Sequence, residues 1–99
     1  MIRGTTPLLE FEIPFDTSLL AEAFVTLSQN GEIVLDKALK DCNCSANKLS
    51  VRLTQEETLK LQCYCITEIQ IRAKTQSGDA VASNIVRVST GRILKDGVI

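Results

Sequence analysis

Apolar and polar positions alternate with a period of two along most of the chain, which is the signature of strands with one buried face. In LLEFEIPF, Leu9, Phe11, Ile13 and Phe15 share one side while Glu10 and Glu12 take the other. Pro14 cannot donate to a ladder, so it predicts a bend or a sheet edge. From residue 23 to 39, Val25 and Leu27 alternate with Phe24, Thr26 and Ser28, and the pattern resumes with Ile33 and Leu35. Between them stands Asn30-Gly31. Both residues tolerate positive φ, and the pair flanked by alternating apolar positions predicts a two-residue β-hairpin.

LSVRL places Leu49, Val51 and Leu53 on one face after the loop KDCNCSAN. The pattern then breaks at TQEET. Thr54 followed three residues later by Glu57 is a capping box, in which each side chain accepts from the other residue's backbone N–H. One or two helical turns are therefore predicted near residues 54–61. EIQIRAK turns Ile69, Ile71 and Ala73 inward, with Glu68, Gln70, Arg72 and Lys74 outward. TQSGD, with Gly78 as its positive-φ residue, leads to AVASNIVRVST, where Ala82, Val86 and Val88 are expected on one face. The segment GRILKDGVI has no clean period. About six to seven short strands with one short helical crossing predict an all-β fold, a small two-layer sandwich, with a closed barrel as the alternative. Residues 1–99 read as a single domain, and residues 91–99 as a mobile or partner-binding tail.

Ninety-nine residues, 44% hydrophobic and 23% charged, suit one folded domain with a modest core. Eleven basic and twelve acidic residues are interspersed, for a net charge of −1. No basic stripe exists, and only four residues are aromatic, so nucleic acid is excluded as an expected partner. Glu10, Glu12 and Pro14 interrupt what would be the apolar core of a signal peptide, and no stretch reaches the roughly 20 apolar residues that span a bilayer. The expected location is the cytoplasm at synthesis, with a virion as a later destination. No membrane partner is expected.

Candidate chemistry centres on Cys42, Cys44, Cys63 and Cys65, two C-x-C pairs and the only cysteines. Four thiolates match a structural zinc site in number, but typical knuckles space their ligands C-x₂₋₄-C. A cross-pair disulfide is sterically open, whereas a cytoplasmic chain keeps thiols reduced. Free thiols are the favoured reading, with zinc as the only cofactor the residues suggest. The chain has no histidine, the commonest general base and a frequent metal ligand. Glu56-Glu57 point apart on a helix, and capping already explains Glu57. Asp16-Thr17-Ser18 reads as turn and cap chemistry, and Ser77-Gly78-Asp79 as a hairpin turn. Arg72 and Arg87 are expected outward, facing carboxylates across the sheet. No catalytic residue is identified, and the chain is not read as an enzyme.

The C-terminal half, LSVRLTQEET…ITEIQIRAKTQSGDAVASNIVRVS, resembles the last strands of immunoglobulin-like sandwiches, without the Trp and Cys pair of antibody domains. More of the chain resembles small proteins of bacteriophages and prophages of Gram-positive bacteria. The matching segments are Met1–Pro7, Pro14–Ser18, Asn30–Gly31, Leu53–Lys60, Ile69–Arg72 and Gly78–Ser83. The same core is similar to the N-terminal sandwich of phage upper-baseplate proteins. The resemblance implies an immunoglobulin-like β-sandwich serving as a tail- or baseplate-associated structural or assembly module. Its partners would be proteins, including further copies of itself. Strand edges and the apolar residues Ile93, Leu94, Val98 and Ile99 are the expected contacts. The alternative is a small module stabilised by zinc on the four cysteines.

Overall fold

The computed structural model describes all residues, Met1–Ile99. Eight strands and one short helix follow in the order β1 (Leu8–Glu12), β2 (Leu20–Gln29), β3 (Glu32–Ala38), β4 (Asn43–Ser45), β5 (Lys48–Arg52), α1 (Gln55–Leu59), β6 (Ile66–Thr75), β7 (Ala80–Ala82) and β8 (Val86–Ser89). One sheet has the order β1-β5-β4. The other runs β3-β2-β6, and β6 carries β7 and β8 in succession along its far side. Every strand pair is antiparallel. The fold is a small all-β sandwich.

The alternation sets the core. Leu49, Val51 and Leu53 from the smaller sheet meet Val25, Leu27, Leu35, Ile69, Ile71 and Ala73 from the larger, and Ile13 closes one end. Leu9, Phe11 and Phe15 pack against this cluster from its margin. The Asn30-Gly31 turn joins β2 to β3 with φ of 52° and 79°, the left-handed geometry that a two-residue hairpin requires.

Three expectations need correction. Ile33 lies outward, 67% exposed, because the register shifts between Leu27↔Leu35 and Ser28↔Ile33. Val34 is the extra residue of a bulge, and one extra residue reverses the side-chain alternation beyond it. The stretch AVASNIVRVST is likewise two strands, not one. Ala82 pairs with Arg72 whereas Val86 pairs with Ile69, so one residue is again in excess and Ala82 leaves the face shared by Val86 and Val88. Ser83 absorbs it: its backbone N–H donates to Ile71 O at 2.9 Å, and its Oγ accepts from Ile71 N at 3.1 Å. The third correction is β4, which lies in the segment read as loop and raises the strand count to eight. A two-residue turn with Ala46 at φ 51° returns it to β5.

The helical crossing is where the capping box places it. Thr54 Oγ1 accepts from Glu57 N at 3.1 Å and Glu57 Oε1 accepts from Thr54 N at 2.9 Å. No helix is long and apolar enough to cross a membrane.

Candidate functional site: open edges, tail and cysteines

The sandwich is closed on one long side and open on the other. On the closed side a 3-10 turn at Leu39–Asp41 carries the chain from β3 to β4, and Cys42 tucks under it against the core. The Cys42 Sγ donates to Ala38 O at 3.3 Å. Burial, then the neighbouring Cys44 and Asp41, pushes the Cys42 thiol up from its ordinary value, which favours the protonated form. Cys44 is exposed on β4.

Cys63 and Cys65 lie at the far end of the larger sheet, in the turn between α1 and β6. Cys65 Sγ stands 3.8 Å from both Asn30 Nδ2 and Gln62 Oε1. Ala38, beside Cys42, faces Phe24 on β2, six positions from Asn30 and thus roughly 20 Å away at the rise of a strand. The fold therefore keeps the two C-x-C pairs apart. All four are free thiols, and no group of three or more Cys, Asp or Glu side chains is arranged to hold a metal ion.

The other polar residues singled out in the sequence are structural. Asp16 Oδ1 accepts from Ser18 N at 2.9 Å and caps a 3-10 turn, and that bond lowers the Asp16 pKa. Thr75, Ser77 and Asp79 satisfy one another around Gly78. Arg87 meets Glu68 on the adjacent strand at 3.1 Å. Arg72 has no carboxylate partner; it lies beside Phe24 on the outer face.

Two devices escaped the sequence reading. The first is a polar knot at the hairpin end of the core. Gln29, 5% exposed, donates through Nε2 to Gln62 O, Thr67 Oγ1 and Thr90 Oγ1, while its Oε1 accepts from Gln62 N. A polar residue at the core-facing end of β2 was the available signal. The second is the N-terminal strap. Arg3 donates to Leu61 O at 2.6 Å and Leu59 O at 2.9 Å, satisfying carbonyls at the end of α1. Thr58 Oγ1 donates to Thr5 O, and Arg52 to Thr6 O. A Cβ on Gly4 would stand 2.9 Å from Ile93 Cδ1, which is why glycine occupies that position at φ 73°. Thus MIRGTTP and LTQEETLK, distant in sequence, interlock.

The tail is anchored at both ends. Gly91 N donates to Met1 O, and Gln55 grips Ile99 with both halves of its amide, at 3.1 and 2.8 Å. Ile93 tucks against the strap, but Leu94, Val98 and Ile99 face solvent. On the open side β1 is the last strand of its sheet, and β7 and β8 pair only with β6. Between these edges runs a mainly apolar groove of about 280 Å³, floored by Ile13, Ile71 and Ala73 and walled by Pro14 and Val81. Ile85 and Val86 stand exposed along the same edge. The open side thus combines unpaired strand edges with exposed apolar side chains.

No protein-family model, no curated protein and no solved structure matches the chain.

Proposed function

We propose that this chain is a non-enzymatic structural or assembly module of a phage or prophage, tail- or baseplate-associated, acting through protein–protein contacts. The carrying observation is the pinned tail: its backbone is held at Gly91 and Ile99 while Leu94, Val98 and Ile99 point outward. A segment ordered by its own backbone bonds presents apolar side chains at reduced entropic cost to a partner. The likeness of its turn, cap and strand-edge motifs to small phage proteins supplies the context. The chemistry is consistent with this role, since the titratable groups with shifted pKa values serve caps, an ion pair and a partly buried thiol.

The test is the composition of phage particles released by the strain that encodes the chain. Density-purified particles should contain it in fixed ratio to a tail protein, and L94D with V98D should lower that ratio severalfold while the variant remains folded. Complete absence from particles would sink the role.

A further inference from the structure

The open side of the sandwich bears two unpaired edges of matching pattern. β1 reads Leu9-Glu10-Phe11, with both apolar residues toward the core and Glu10 outward. β8 reads Val86-Arg87-Val88, with both valines on the core side and Arg87 outward, 67% exposed at its side chain. Met1 N donates to Ser89 O at 2.8 Å and closes the far end of that edge, leaving Ile85–Val88 open. The edge on the closed side is treated differently, since β3 carries the Val34 bulge that twists an edge away from pairing. On the open side the extra residue at Ser83 falls between β7 and β8, so β1 and β8 themselves carry no bulge.

We propose that a second copy of this chain occupies the open side, pairing β1 of each protomer antiparallel with β8 of the other. This deepens the protein-contact reading above and rests on it. In the pairing, Glu10 lies opposite the partner's Arg87, Leu9 opposite its Val88 and Phe11 opposite its Val86. Directly opposite residues of an antiparallel pair share a face, so the apolar set meets on the core side and the charges meet on the outside. Arg87 already holds Glu68 on one flank and gains Glu10 on the other, giving a Glu-Arg-Glu row across the joined sheets. The register is chosen by charge: Glu12 already has Lys48 opposite it on β5, whereas Glu10 has only Ser50. A one-residue slip would turn the valines outward. Because β1 and β8 each lack a second strand partner on the same open side, a single two-fold axis forms both pairings, and the contact is isologous and closed.

The experiment is sedimentation equilibrium of the full chain over a wide concentration range, with E10R, R87E and the double reversal. The wild type should dimerise. Each single reversal sets like charges opposite twice per dimer and should weaken association about tenfold or more, and the double reversal should recover most of the loss. Far-UV circular dichroism of the singles confirms that they fold. A wild-type monomer at every concentration, or a dimer indifferent to both reversals, overturns the proposal. A monomer still found in purified phage particles would overturn this edge pairing alone and leave the module role standing.

Discussion

Lys37 on β3 and Glu57 in α1, twenty residues apart, form an ion pair that ties the helical crossing to the larger sheet. Both side chains are largely shielded from solvent. Glu57 is doubly engaged, because its other oxygen accepts from Thr54 N. Replacing Glu57 by Ala removes the reciprocal half of the capping box and leaves the Lys37 charge partly buried and unpaired. A loss of about 1–2 kcal/mol is expected from urea unfolding, against roughly 0.5–1 for Lys37→Met, which keeps the cap.

The same pair sets a pH dependence. Burial works against the Glu57 carboxylate, but the Lys37 hydrogen bond and the Thr54 N–H outweigh it and hold its pKa below 4.5. A depressed carboxyl stabilises the fold above its unfolded value, and that stabilisation disappears as pH falls through the folded one. Lys37 is raised above 10.5, chiefly by the Glu57 hydrogen bond, so its contribution is present below that value and is lost in strong alkali. The melting temperature should therefore fall below about pH 4.5, with the drop reduced in Glu57→Gln.

Gln29 is the most consequential polar residue of the interior. Gln29→Leu strands Gln62 N and weakens the satisfaction of Thr67 and Thr90, which would retain their mutual bond of 2.6 Å. About 2–3 kcal/mol of destabilisation is expected, despite the gain in apolar volume. Thermal unfolding should show it; a neutral or stabilising result would mean that the knot contributes nothing.

Ala46 sits at φ 51° in the β4–β5 turn, a region costly for any residue with a Cβ. Its carbonyl accepts from Thr17 N and Oγ1, so the backbone there is fixed. Ala46→Gly should raise stability by about 0.5–1 kcal/mol, since relief of strain outweighs the added freedom of the unfolded chain. Differential scanning calorimetry reads the sign directly.

The separated cysteines predict no metal dependence. A chelator should leave the melting temperature unchanged, because no bound ion would then contribute to folding free energy. In thiol titration of the native protein Cys44 should react first and Cys42 last, following exposure and the raised Cys42 pKa. A chelator-induced drop of several degrees would restore the four-sulfur zinc reading.

What could be read from the sequence was local. Asn30-Gly31 announced its turn because two adjacent residues that tolerate positive φ leave few alternatives, and Thr54 with Glu57 three positions later announced a helix start. The alternation placed Val25, Leu27, Leu49, Val51, Ile69 and Ile71 inside without reference to any partner. The bulges at Val34 and Ser83 could not be read this way, because an extra residue is defined by the strand opposite. The Arg3 bonds to α1 and the Gln29 knot join residues 33 to 61 positions apart. The zinc alternative on the four cysteines stayed open in the sequence for the same reason: symmetry in spacing says nothing about which end of a sheet each pair reaches.

The Gln29 knot also gives the sandwich a memory of its own alignment. Apolar faces repeat every two residues, so a two-residue slide of β6 along β2 would keep every core position greasy and pass as nearly native. Gln29 lies across from Thr67, and such a slide would present it with Cys65 or Ile69 instead, orphaning a buried amide. One hydroxyl-lined notch in an otherwise interchangeable seam thus acts like a key cut, admitting a single seating of the two longest strands.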